Sequence, residues 1–113
     1  MTSDGRMHFT DIPDGGSRGL DADACGEHRA FAVRRGAELR VYRNECPHEA
    51  GPLAWRRDEY LNGARTRIVC FAHGAQFDID SGLCVLGPCR GRSLQRVTCR
   101  LDPDGFIILG AIA

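Results

Sequence analysis

Two short boxes carry the chemistry of this chain: Cys46-Pro47-His48 and Cys70-Phe71-Ala72-His73-Gly74. Each pairs one thiol with one imidazole at close spacing, and twenty-one residues separate His48 from Cys70. Two loops meeting at their tips would present two sulfurs and two ring nitrogens to one centre. Soft thiolate with imidazole suits zinc or an iron–sulfur cluster and disfavours calcium or magnesium. Four readings compete for Cys46, His48, Cys70 and His73. The blandest, ordinary buried cysteines and surface histidines, sits badly with a repeated Cys/His pair flanked by Pro and Gly. A structural Cys2His2 zinc module fits the local spacing, but such modules usually compensate for a small core. A disulfide scaffold needs an exporting context. The leading reading is a two-iron, two-sulfide centre with both cysteines on one iron and both histidines on the other.

The elements that would position these boxes read as short strands. Fourteen Gly and five Pro break the chain of 113 residues into pieces, and helical periodicity is poor. Phe31-Ala32-Val33, the turn Arg35-Gly36-Ala37 and the alternating Leu39-Arg40-Val41-Tyr42 predict a hairpin. Arg67-Ile68-Val69 leads into Cys70. Gln76-Phe77-Asp78-Ile79 alternates up to the turn Asp80-Ser81-Gly82, and Leu83-Cys84-Val85-Leu86 follows. Val97, Cys99 and Leu101 share one strand face. Asp102-Pro103-Asp104-Gly105 is a turn in which Pro fixes φ and Gly permits a positive one, and Phe106-Ile107-Ile108-Leu109 closes that hairpin. Short strands with frequent turns predict an all-β sandwich or barrel. A helix is expected at most over 52–62, and the first twenty residues read as a loose, Gly- and Asp-rich lead-in.

Composition fits one domain with its own core: 42% of residues are hydrophobic, and fifteen acidic residues balance fifteen basic ones. Neutrality argues against nucleic acid as a partner. The Met1–Arg6 segment has no apolar run of a secretory signal, and the apolar stretch from Phe106 onward is too short to span a bilayer. The expectation is a cytoplasmic chain with no membrane contact, whose six cysteines are thiols or ligands rather than disulfides.

The two-box pattern, with its surroundings, resembles the Rieske ferredoxins and Rieske-type domains. The likeness is strong from Tyr42 to Leu94 and looser elsewhere. Asn44 and Glu45 before the first box fit, as do Gly51-Pro52-Leu53 after it. So does Gly74-Ala75-Gln76-Phe77-Asp78 running into Gly82. Gly87-Pro88-Cys89 looks like the family's proline loop, which shields the cluster from water. The resemblance implies an antiparallel β-sandwich in a single domain, 1–113, with a cluster-binding subdomain over about 44–90 inserted into a base subdomain. It implies one [2Fe–2S] cluster ligated by Cys46, His48, Cys70 and His73. The interval between the boxes exceeds that of most ferredoxin members by several residues, and the extra length is expected in the loop Trp55–Tyr60, where insertion is thermodynamically cheap.

The resemblance also bears on mechanism. Mixed ligation leaves the oxidised centre near zero charge, which raises its potential above that of a four-cysteine cluster. High-potential members add a disulfide between the boxes, at positions that here are Gly51 and Phe71. They also place Ser and Tyr hydroxyls where Ala75 and Phe77 stand. The expectation is therefore a potential at the low, ferredoxin-like end of the class. The chain is too short for the catalytic iron domain of the large oxygenases. Only His8 and His28 remain, and Glu49 and Ala75 replace the Arg and Trp usual in those subunits. The resemblance thus implies an electron carrier rather than a stand-alone catalyst, moving single electrons from a flavin reductase to an oxygenase. The close variant is a small subunit of another reductase, of the nitrite-reductase type; the different class is the zinc module. Docking is expected at the rim Pro47, Glu49, Ala72, Gly74 and Pro88. Among the other cysteines, Cys99 reads as a small buried hydrophobe and Cys25 has no assigned role. Cys84 and Cys89 have a plant-type ferredoxin gap but lack the next cysteine, so they are rejected as ligands. A disulfide between those two is allowed by spacing and supported by nothing else in the sequence.

Overall fold

The computed structural model describes residues 7–22, 28–47, 53, 58–70 and 74–110, with backbone alone at 21 and 22. These residues form eight strands in chain order: β1 Ser17–Ala22, β2 His28–Arg35, β3 Glu38–Arg43, β4 Arg67–Val69, β5 Gln76–Asp78, β6 Cys84–Leu86, β7 Cys99–Leu101 and β8 Ile107–Leu109. One turn of 3-10 helix, Phe9–Asp11, precedes them, and no α-helix occurs among the described residues. Every strand pairing is antiparallel, as the all-β reading requires.

Strands β1, β2 and β3 make one sheet in that order; β4, β5 and β6 make a second; β7 and β8 form a hairpin. Main-chain bonds extend the first sheet. The amides of Arg43 and Val97 donate to the carbonyls of Gln95 and Val41, laying 95–97 beside β3. The segment before the 3-10 turn joins β8 through the Ile107 amide and the Met7 carbonyl. The β4–β6 sheet is therefore inserted, in sequence, between two parts of a base built from both ends of the described chain.

Strand β2 is the shared wall of the two apolar cores. Successive side chains on a strand point to opposite faces. Phe31 and Val33 enter the core of the inserted sheet with Tyr42, Leu53, Tyr60, Ile68, Phe77, Ile79 and Leu94. Ala30 and Ala32 enter the base core with Ile12, Leu20, Val41, Val97 and Ile107. A strand buried on both faces shows a continuous apolar run instead of alternation, which is why Phe31-Ala32-Val33 reads as unbroken. Full burial of a side chain the size of Phe31 contributes roughly 2–3 kcal/mol.

Polar bonds tie the two halves together. The Tyr42 hydroxyl donates to the Ile79 carbonyl at 2.6 Å, and burial pushes that phenol's pKa upward. Asp80, at the β5–β6 turn, lies 3.7 Å from both Arg35 and Arg40 of the base. The same turn needs Gly82: its φ is +78°, and a Cβ there would stand 2.8 Å from the Tyr42 ring.

Three expectations change. The first twenty residues are not a loose lead-in from residue 7 on: Ile12 is fully buried and β1 pairs with β2 along its length. Gly19 sits mid-strand because the His28 imidazole occupies the space a Cβ would need. The described part of 52–62 is not helical; Leu61 bridges Ile68 instead. Tyr60 is not surface-loop filler. It is 1% exposed, and its ring stacks on Phe31. Of the loop Trp55–Tyr60, residues 55–57 lie outside the described residues.

Candidate metal centre

The first box follows β3. Asn44 closes the loop that holds it. Its amide donates to the Arg29 carbonyl at 2.9 Å and its side-chain Nδ2 to the His28 carbonyl at 2.9 Å. Its Oδ1 accepts the Leu53 amide at 2.9 Å. One side chain thus pins both ends of 44–53 to the start of β2. Arg92 reaches the box itself, its Nη1 donating to the Pro47 carbonyl at 3.2 Å.

The second box follows β4, and its loop is closed by main-chain bonds. The Cys70 amide donates to the Ala75 carbonyl at 2.8 Å, and the Gly74 amide to the Cys70 carbonyl at 2.9 Å. Gly74 takes φ +69° to turn the chain back into β5.

Cys46 and Cys70 are each 2% exposed and belong to the same apolar cluster. Neither is in a disulfide. His48 and His73 lie outside the described residues, as do Glu49, Ala72, Gly51 and Phe71. Among the described residues no three His, Cys, Asp or Glu side chains gather into a group that could hold a metal. The two box cysteines therefore have no described carboxylate or further thiol completing a site with them. Two buried sulfurs in an apolar setting suit a soft, nearly neutral centre better than a hard divalent cation. The donors present fit an iron–sulfur group.

The surroundings of the boxes are apolar. Ala75 and Phe77 are fully buried and offer no hydroxyl. The loop after β6 packs on the second box. Gly87 has φ +106°, and a Cβ there would lie 2.8 Å from the Ala75 Cα. Among the described residues, Leu83 and Leu86 are the exposed large hydrophobic ones, at 42% and 53%, and sequence reading did not single them out. Cys84 and Cys89 prove to be neighbours, with sulfurs 3.0 Å apart. Burial, then the hydrogen bond and charge of Cys84 and the charge of Cys46, push the Cys89 thiol up to about 12. Cys99 is half-buried against the base core, and burial raises its thiol too. Cys25 lies outside the described residues.

The profile of the family described as Rieske [2Fe-2S] domain matches residues 7–100. The chain belongs to that family, and one Rieske [2Fe–2S] cluster is the cofactor that goes with membership. Among curated protein sequences nothing matches. Solved structures do. A ferredoxin of carbazole 1,9a-dioxygenase from Nocardioides aromaticivorans IC177 is 20% identical with TM-score 0.69, covering 92% of each chain. A ferredoxin from Sphingomonas yanoikuyae B1 is 22% identical with TM-score 0.70, covering 95% of this chain and 96% of its own. The terminal oxygenase of carbazole 1,9a-dioxygenase from Novosphingobium sp. KA1 is 17% identical with TM-score 0.68, covering 92% of this chain but 28% of its own. At these identities the likeness establishes the shared fold. Among the described residues no helix is long and apolar enough to cross a membrane.

Proposed function

We propose that this chain is a ferredoxin-type electron carrier in which Cys46 and Cys70 ligate one iron and His48 and His73 the other. The observation that carries the ligand assignment is the matched construction of the two boxes. Each follows a strand, each loop is closed at its base by hydrogen bonds, and each buries one cysteine in a common core. When bound, the cluster supplies a one-electron couple that needs no atom transfer. The chain's own residues fix its setting. Cys46 and Cys70 would hold one iron from their buried positions, and Asn44 and the 70–75 turn close their loops. Ala75 and Phe77, both fully buried, would offer the cluster no hydroxyl. With no hydroxyl donor at 75 or 77, the reduced state gains no added hydrogen bonds, so the potential belongs at the low end of the class.

The redox partners in this reading are a flavin reductase as donor and an oxygenase as acceptor. The ferredoxin of carbazole 1,9a-dioxygenase, which shares the fold along nearly its whole length, supports the oxygenase as acceptor. The exposed Leu83 and Leu86 offer apolar surface to a transient redox partner. A cytoplasmic location belongs to the same proposal. Electron paramagnetic resonance on the dithionite-reduced protein tests it. The expected result is a rhombic signal whose g-values report mixed His/Cys ligation. Colourless protein containing one zinc and no acid-labile sulfide would overturn it.

A further inference from the structure

Cys84 opens β6, and Cys89 lies five residues further on in the loop that follows. The two residues are 2% and 1% exposed. Their sulfurs approach to 3.0 Å, with Cys89 donating to Cys84 and Cys84 donating to the Leu86 carbonyl at 3.3 Å. The main chain enforces this approach without help from the sulfurs. The Cys84 amide donates to the Arg92 carbonyl at 2.7 Å, the Gly91 amide to the Cys84 carbonyl at 3.3 Å, and the Arg92 amide to the Cys89 carbonyl at 2.8 Å. Both cysteines are thus bracketed by one hydrogen-bonded turn. They need to close by only about 1 Å to reach a disulfide bond length of about 2.05 Å.

We propose that Cys84 and Cys89 form a reversible dithiol–disulfide couple, a two-electron site made of residues other than the four proposed ligands, with hydrogen peroxide as its oxidant. The burial of both residues keeps a protein disulfide away from the sulfurs, so the oxidant named is a small molecule. In the first step one sulfur attacks a peroxide oxygen. The O–O bond breaks, a sulfenic acid forms and one water leaves with the thiol proton. In the second step the other sulfur attacks the sulfenic sulfur, the S–S bond forms, the S–O bond breaks and a second water leaves. Two thiols and one hydrogen peroxide give one disulfide and two waters, and the two electrons pass from sulfur to the peroxide oxygens. A small dithiol reverses the change by exchange.

The position of the couple gives it a consequence. The same loop rests Gly87 on Ala75 beside the second box and sends Arg92 to Pro47 in the first. Closing the ring between 84 and 89 stiffens a segment that reaches both.

The test uses the unaltered full chain, purified anaerobically. One portion is kept reduced and another is treated with stoichiometric hydrogen peroxide. Both are quenched in acid, alkylated with N-ethylmaleimide and mapped by peptide mass spectrometry. The expected result is a loss of two hydrogen masses confined to the 84–89 pair, which escapes alkylation, regains it after dithiothreitol, and leaves Cys99 alkylated throughout. Cys89→Ala should abolish the mass loss, whereas Cys99→Ala should leave it unchanged. The proposal fails if both thiols stay alkylatable after peroxide. It also fails if Cys89 passes on to sulfinic acid, or if the linkage formed involves Cys46 or Cys70. None of these readouts requires the cluster's ligands to be as assigned above, so failure here is separable from failure of the electron-carrier reading.

Discussion

The ring of Tyr60 lies flat against that of Phe31, with centroids 4.3 Å apart and planes 5° from parallel. This contact joins the stretch between the two boxes to the strand shared by both cores. The Tyr60 amide also donates to the Ser17 hydroxyl at 3.1 Å, so the same residue fastens β1. Tyr60→Ala should destabilise the fold by about 3–5 kcal/mol, as expected when a large buried aromatic is truncated. Tyr60→Phe should cost far less. Urea denaturation followed by far-ultraviolet circular dichroism checks both, and a loss under 1 kcal/mol for the alanine variant would contradict the packing described.

Cysteine replacement separates ligands from bystanders. Cys46→Ser and Cys70→Ser should each reduce bound iron and acid-labile sulfide to background, because a buried hydroxyl is a poor ligand for a soft centre. Cys99→Ser should keep both near the unaltered level. Chemical analysis of iron and sulfide on freshly isolated protein decides the matter.

Ala75→Ser adds a hydroxyl at a fully buried position two residues after His73. If the ligands are those proposed, a donor there stabilises the more negative reduced state and the midpoint potential should rise. A redox titration with an unchanged or lowered midpoint would show that residue 75 does not face the centre.

Acid should weaken the β5–β6 turn. Asp78 Oδ2 accepts the Ser81 amide and hydroxyl, each at 2.8 Å. These bonds, with smaller help from Arg67, hold its pKa below the ordinary 3.8. A carboxylate depressed in the folded state contributes stability that is fully present above its unfolded value and lost as pH falls through the folded one. The stability difference between the unaltered chain and Asp78→Asn should therefore be constant from neutral pH down to about 5 and shrink below about 4. Its size is that of a partly solvated turn. Denaturation midpoints measured across that window provide the check.

Gly87→Ala places a methyl group against the Ala75 backbone, at a φ of +106° that L-residues seldom adopt. The neighbour is main chain and cannot turn away, so the loop itself must shift. The expected outcome is a cost of about 1–3 kcal/mol together with a changed visible spectrum of the holoprotein. Gly36→Ala, at a turn with open space around it, should leave the spectrum unchanged.

Much of this arrangement is legible in the sequence because its signals are local. The hairpin of β2 and β3, the strands before each box and the Asp102–Gly105 turn all announce themselves through alternation and turn chemistry. In that last turn Asp102 Oδ1 accepts the amides of Asp104 and Phe106. What stays hidden is set by distant contacts. β1 contains Ser17, Gly19 and Asp21, poor strand formers whose pairing is fixed by β2 and by Asp58, whose Oδ1 accepts the Gly19 amide at 2.8 Å. Tyr60 looks like part of an insertion until Phe31 is placed beside it. The proximity of Cys84 and Cys89 depends on a turn closed by Arg92, which no spacing rule encodes. The cysteines of the boxes are placed as two buried members of one core, whereas His48 and His73 remain assigned by sequence and family.

Phe31 and Val33 on one face of β2, with Ala30 and Ala32 on the other, have a consequence for how the molecule comes apart. Neither core owns that strand, so neither can be lost while the other keeps a dry wall. Cutting away 44–94 would leave Phe31, Val33 and Tyr42 facing solvent, and the remnant should precipitate instead of standing as a smaller protein. The intact chain should accordingly melt in a single transition, with the cluster's colour and the strand signal vanishing at the same temperature.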